Sequence, residues 1–249
     1  MTLTYITGFY DIYNDRTGVK SIEKYMNNFK KLVDSDVKIC CFVSKSNSDN
    51  IREAIKGYNN VYLVDDVEFE DLQVYNYSNV GALPEERNSL KDTVKYMMMM
   101  NCKMELLMRG MELNPFNSTH FAWIDFSIYH VFKDSERVNR QLRQMCFRDL
   151  AVQCLHFPGC WDMGMGMDNI HSRINWRFCG GFYMGDAVSL KRVYDACVQY
   201  LADYVARNNR LVWEVNIWAL VEKEMGVSFG WYKADHNDSI IDVPVGVFV

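Results

Sequence analysis

An α/β fold, with a mostly parallel central sheet flanked by helices on both faces, is what the sequence predicts. Three observations carry that expectation. Strand and helix signals alternate through the first half of the chain, the pattern of βαβ units. Phe121 to Phe126 reads as a buried strand, and the adjacent Cys40 and Cys41 lie inside an apparent core strand. The length of 249 residues, with 49% hydrophobic and 24% charged residues and only four prolines, suits one large domain.

In chain order, Leu3 to Tyr10 reads as the first strand. Ser21 to Val33 reads as a helix with Ser21 as N-cap, because Ile22, Tyr25, Phe29 and Leu32 recur at helical spacing. Val37 to Val43 is a second strand, Asp49 to Lys56 a short helix and Val61 to Val64 a third strand. Pro84, followed by Glu85 and Glu86, is the start expected of a long helix reaching Met111. Phe121 to Phe126 is the next strand and Ser135 to Phe147 the next helix. A glycine-containing loop covers 159–168, followed by a strand from Phe178 to Met184 with Gly180 and Gly181 inside it. Helices from Asp186 to Arg207 and Val212 to Lys223 precede a tail of short strands. No long linker or internal repeat interrupts the chain, so one domain is expected over residues 1–249.

Composition narrows the function. A net charge of −5 argues against a broad nucleic-acid-binding surface. No apolar run approaches the roughly 20 residues of a membrane span, and the N-terminus lacks the layout of a signal peptide. Eight cysteines without a C-x-x-C spacing fit a reduced, cytoplasmic protein in which most thiols are small hydrophobes.

The segment Phe121–Phe126 carries one acid, Asp125, in an otherwise apolar run. A carboxylate there requires a metal, a hydrogen-bond network or a cation as partner, unless it leaves the core to cap the next turn. After the first strand, Thr7 and Gly8 offer close backbone approach, Phe9 and Tyr10 offer rings for a base, Asp11 suits a ribose hydroxyl and Arg16 a phosphate. Arg87, Lys91 and Lys95, read as helical, form a basic stripe suited to a diphosphate. Glu214 reads as a first-turn acid or a general base. Asp162, in the glycine-containing loop, is a second base candidate. Lys233 and His236 lie in a polar segment after a strand, where His236 is a candidate ligand for a divalent ion.

Taken in order, Phe9-Tyr-Asp-Ile12, Tyr25 with Phe29 and Leu32, Pro84-Glu-Glu-Arg-Asn88 with Lys91 and Asp92, Phe121–Phe126 and Gly180-Gly-Phe182 resemble the YibB/HtrL-like family. That family looks like nucleotide-sugar glycosyltransferases of the GT-A type, and the resemblance covers most of the chain. It implies a GT-A-like, Rossmann-type sheet with a nucleotide-binding half over 1–130 and an acceptor-binding half over 131–249, a nucleotide-sugar donor (UDP-linked), a glycan acceptor and a divalent metal, Mn2+ or Mg2+, on the diphosphate. Asp125 would then stand at the metal-binding D-x-D of that fold. Trp123 replaces the first acid of the motif and Ser127 follows, so phosphate oxygens, water and His236 would complete the ion's shell. Lys91 and Arg87 would meet the diphosphate or sugar, Lys233 and His236 would close over it, and Glu214 or Asp162 would deprotonate the acceptor. Two other classes are compatible with the residues: a nucleotidyltransferase, and a non-catalytic carbohydrate-binding protein with a degenerate transferase fold.

Overall fold

In a computed structural model that describes residues 2–13, 21–147 and 150–244, seven strands form one sheet in the order β3-β2-β1-β4-β6-β5-β7. The strands are β1 (Leu3–Phe9), β2 (Ile39–Val43), β3 (Val61–Val64), β4 (His120–Ile124), β5 (Leu155–Gly159), β6 (Phe182–Asp186) and β7 (Trp231–Lys233). β1 pairs in parallel with β2 and with β4, and β2 with β3. β6 runs antiparallel to β4 and β5, and β5 pairs in parallel with β7.

The helices are α1 (Ile22–Val33), α2 (Lys45–Ala54), α3 (Val94–Asn101), α4 (Lys103–Leu113), α5 (Ser135–Phe147), α6 (Ala187–Asn208) and α7 (Glu214–Met225). Strand side chains alternate between faces, so each strand feeds two cores. Ile6, Phe42, Phe121, Trp123 and Tyr183 join the core under α4, α6 and α7. Tyr5, Cys41, Ala122, Ile124 and Met184 join the core under α1 and α5. Both faces are therefore covered, which is why the strands read as continuous apolar runs.

Several expectations hold closely. Ser21 caps α1 by accepting from the Lys24 backbone N–H at 3.2 Å, and α5 has the expected bounds. Two expectations fail. The segment 84–93 is a series of turns: the Asn88 carbonyl accepts from the Asp92 N–H at 2.7 Å, and the Asp92 carboxylate accepts from the Asn88 N–H at 3.1 Å. The helix starts only at Val94, where Thr93 accepts from the Tyr96 N–H at 3.2 Å. These short polar side chains offer the backbone a local alternative to the helix. Consequently Arg87, Lys91 and Lys95 do not form a helical stripe. The second failure concerns Gly180 and Gly181, which precede β6 and do not lie inside it.

Candidate active site

The site grows from the end of β4. Alternation puts Phe121 and Trp123 on the α4 side of the sheet, and Asp125, two residues on, follows them. The Asp125 backbone N–H donates to the Gly181 carbonyl at 2.9 Å, which extends the β4–β6 pairing by one residue. The Trp123 indole donates to Asp125 Oδ1 at 2.8 Å. The first residue of α4, Lys103, completes the set. Its Nζ lies 3.0 Å from Asp125 Oδ1, 2.9 Å from Glu214 Oε1 and 3.0 Å from the Gly180 carbonyl oxygen. An ammonium has three donors, so these three partners satisfy Lys103 fully. Of the partners named above for a carboxylate in an apolar run, Asp125 has both a cation and a hydrogen-bond network.

Burial separates the three groups. The side chains of Lys103 and Glu214 are 3% and 6% exposed, whereas that of Asp125 is 33% exposed. Burial alone would lower the Lys103 pKa, but Asp125 and Glu214 outweigh it and the ammonium is held above its ordinary range. Burial pushes the Glu214 carboxyl up, with Lys103 pulling against it. Glu214 opens α7 with Trp213 as N-cap, so the helix N-terminus also faces it. Gly180 is needed for this packing: a Cβ there would lie 2.2 Å from Glu214 Oε1.

The cluster forms the floor of a cleft of about 440 Å³, within the range of small-ligand sites. The cleft opens beyond the carboxyl ends of β1 and β4. From β1 the sheet proceeds through β2 to β3 on one side and through β4 to β6 on the other, so the cleft stands where the chain reverses its winding. That position is the usual ligand site of open α/β sheets.

Sequence expectations fare unevenly here. Gly8, Phe9, Tyr10, Lys91, Asp125, Glu214 and His236 all line the cleft. Thr7, Asp11, Arg87, Asp162 and Lys233 are not among its lining residues, and Arg16 lies outside the described residues. Thr7 is buried in β1. Arg87 donates to the Pro84 carbonyl at 3.1 Å and so stabilises its own turn. Lys233 donates to the Cys160 carbonyl, and Asp162 is exposed in its loop. Phe9 and Tyr10 are 5% exposed. Phe9 stacks on Phe126 at 4.8 Å, and the Tyr10 hydroxyl donates to the Val67 carbonyl at 3.0 Å. Their rings belong to the core, and the half-buried rings on the cleft wall are Tyr13, Tyr25, Tyr96 and Trp176. Gly8 faces α4, since a Cβ there would meet Leu106 Cδ1 at 2.9 Å. Exposed Lys91 lies over the Tyr96 ring at 4.7 Å, and its carbonyl accepts from the Tyr13 hydroxyl at 3.2 Å.

Lys103 escapes a reading by charge pattern, yet a signal for it exists. Met99, Lys103, Leu106 and Gly110 recur at helical spacing, so a lone cation sits on an apolar stripe. A buried lysine demands an acid, and Asp125, the one acid of an apolar strand, calls for a cation.

The divalent ion implied by the sequence resemblance can be tested against these donors. Asp125 is one carboxylate with both oxygens close to an ammonium, Oδ1 at 3.0 Å and Oδ2 at 3.4 Å. The nearby Glu214 is bound to the same ammonium. Asp125 and His236 line one cleft but belong to no common group of three ligand atoms among the described residues. A dication at Asp125 would meet the Lys103 charge at contact range, so this donor set does not fit a resident Mn2+ or Mg2+. His236 instead stands with Cys160, its Nδ1 3.6 Å from Cys160 Sγ, and with Cys179, whose Sγ is 3.4 Å from that of Cys160. The Cys160 thiol is pulled down to about 5, first by its hydrogen bond with Cys179 and then by His236, against its burial.

No protein-family profile matches the chain, and no curated protein is similar to it. Solved structures share its outline. Mouse xyloside xylosyltransferase 1 in its apo form is 8% identical, with 93% of this chain and 84% of that chain covered and a TM-score of 0.45. A glycosyltransferase involved in glycosylation of the major capsid of PBCV-1 is 12% identical, with 94% and 82% covered and a TM-score of 0.44. A 4-diphosphocytidyl-2C-methyl-D-erythritol synthase from Anaerococcus prevotii is 9% identical, with 96% and 89% covered and a TM-score of 0.41. Similarity this low is one of outline and fixes no activity for this chain.

Proposed function

We propose that the chain is a glycosyltransferase that moves a sugar from a nucleoside diphosphate, UDP in the first instance, to a glycan hydroxyl. The observation that carries this reading is the Lys103–Asp125–Glu214 cluster, set at the winding reversal of the sheet and facing a cleft in the volume range of small-ligand sites. Its partners are a nucleotide-sugar donor and a glycan acceptor, with no nucleic acid. No helix among the described residues is long and apolar enough to cross a membrane. The YibB/HtrL-like resemblance of the sequence agrees with this function, although its metal does not fit the donors at Asp125.

The roles follow from exposure and charge. Tyr13, Tyr25 and Tyr96 offer ring faces to the base, and Lys91 is the cation at the mouth that meets the diphosphate. Asp125, half-buried and the more accessible of the two carboxylates, accepts a hydrogen bond from a hydroxyl of the donor sugar. Glu214 accepts the proton of the attacking hydroxyl. One ammonium and two carboxylates carry a net charge of −1, so proton uptake at Glu214 neutralises the buried cluster. That is the direction in which burial already shifts its carboxyl. Lys103 then remains paired with Asp125, and no unpaired charge is left in the floor. Ile174, Trp176 and Val215 wall the side assigned to the acceptor, in the second half of the chain.

A panel of nucleotide sugars, assayed for hydrolysis and for transfer to glycan acceptors, tests the reading and names the donor. Release of a nucleoside diphosphate, abolished in Asp125→Asn, is expected. Glycan binding with no nucleotide affinity would instead make the chain a lectin-like protein, and turnover of nucleoside triphosphates would make it a nucleotidyltransferase.

A further inference from the structure

We infer that Cys160, Cys179 and His236 form a binding site for one soft divalent cation of the zinc class at the rim of the cleft. Their ligand atoms all lie within 4.8 Å of one another. Bonds of about 2.3 Å from zinc to sulfur and about 2.0–2.1 Å to nitrogen, at tetrahedral angles, put two sulfurs roughly 3.8 Å apart and sulfur and nitrogen roughly 3.6 Å apart. The observed Cys160–Cys179 and Cys160–His236 separations, 3.4 and 3.6 Å, need a shift of only a few tenths of an ångström.

The three donors come from three segments that the backbone fixes to one another. The Cys179 N–H donates to the Pro158 carbonyl at 2.7 Å, the Cys160 N–H to the Trp176 carbonyl at 3.0 Å, and the Ala234 N–H to the Gly159 carbonyl at 2.8 Å. The Trp176 ring meets the His236 imidazole edge-on at 4.2 Å and limits its rotation. Cys179 is buried, Cys160 half-buried and His236 exposed, so the ion would have protein on one side and solvent on the other. Asp235, whose Oδ1 is 3.7 Å from Cys160 Sγ, is the nearby candidate for the fourth position. Otherwise that position stays open to water or to a ligand entering the cleft, the arrangement of a zinc ion that acts on substrates.

The donor chemistry selects the ion. Two thiolates and an imidazole suit zinc and are poor ligands for Mg2+ and Mn2+. Two thiolates also cancel the charge of a dication, so the neighbouring Lys233 ammonium, bonded to the Cys160 carbonyl, is no obstacle. Binding displaces the thiol protons to solvent and changes no oxidation state. The site is distinct from the Lys103–Asp125–Glu214 cluster, and its existence does not depend on the transferase reading.

Titrating the reduced, chelator-stripped full chain with Co2+ tests the inference. A sulfur-to-cobalt charge-transfer band saturating at one equivalent and bleached by added Zn2+ is expected. Cys160→Ser and Cys179→Ser should each remove a thiolate and much of the band. His236→Ala, at an exposed position, should leave the circular dichroism unchanged and weaken Zn2+ binding by at least about 10–100-fold, the loss usual even for outer-shell partners. Absence of the band in folded, reduced protein would overturn the inference. So would a band that Cys160→Ser leaves intact, since other cysteines would then hold the ion. A Cys160–Cys179 disulfide whose reduction restores no Co2+ binding would overturn it as well.

Discussion

At the scale of the residue, the site depends on Lys103, which has no spare donor and no solvent. Removing it leaves the buried Glu214 and the half-buried Asp125 without a counter-charge. Lys103→Met is therefore expected to destabilise the fold by about 3–5 kcal/mol, measured by denaturant unfolding. A loss below about 1 kcal/mol would mean that Asp125 and Glu214 do not rely on it. Glu214→Gln keeps shape and hydrogen bonding but cannot take a proton. It should lower the transfer rate by about 10²–10⁴-fold while nucleotide affinity is retained. A rate within a few-fold of wild type would remove Glu214 from the chemistry. Gly180→Ala places a methyl group into Glu214 Oε1. The fold should survive at a cost of about 1–3 kcal/mol, with the rate falling because the carboxylate is displaced. Unchanged unfolding and activity would show that the packing is looser than described.

At the scale of the element, the strands and the capped helix were legible because their patterns are local. The apolar run of Leu3–Phe9 and the Ser21 cap need no knowledge of the rest of the chain. The start of α3 was not legible. Pro84 and the two glutamates imitate a helix N-terminus, while the reciprocal Asn88–Asp92 hydrogen bonds and the Thr93 cap move the true start to Val94. β5 was missed for a different reason. Its five residues, Leu155–Gly159, include Pro158 and a glycine, and only pairing with β6 and β7 makes them a strand. His156 on this strand carries a testable consequence. Burial pushes its pKa down from 6.5 to about 4. Below pH 6.5 the unfolded chain takes up a proton that the folded chain refuses, so stability falls as pH falls through that window. At pH 5 the loss relative to pH 7 should be about 2 kcal/mol at most. His156→Gln should remove that part of the loss in parallel unfolding curves. An equal loss in the variant would assign it to other groups.

At the scale of the whole molecule, the fold class was readable because strand–helix alternation implies a wound sheet, and a wound sheet implies a ligand site at its winding reversal. Asp125 stands out as the lone acid of an apolar strand, and Glu214 as a candidate base. Their joint pairing with Lys103 is not legible, because Lys103 is 22 residues and Glu214 is 89 residues from Asp125 in sequence, and only the packing of α4 and α7 on one sheet face brings them together. The same distance effect hides the surroundings of His236, whose Nδ1 lies 3.6 Å from the Sγ of Cys160, a residue 76 positions earlier in the sequence. The central claim is that a nucleoside diphosphate binds over a carboxylate already neutralised by a protein ammonium. A calorimetric titration with uridine diphosphate, run with excess chelator and again with Mn2+, tests it most directly. Wild-type protein should bind with affinities that agree within a few-fold in the two conditions, and Asp125→Asn, whose assigned contact is to the donor sugar, should bind uridine diphosphate about as tightly as wild type in both. Binding that vanishes in chelator and returns with Mn2+ would contradict it.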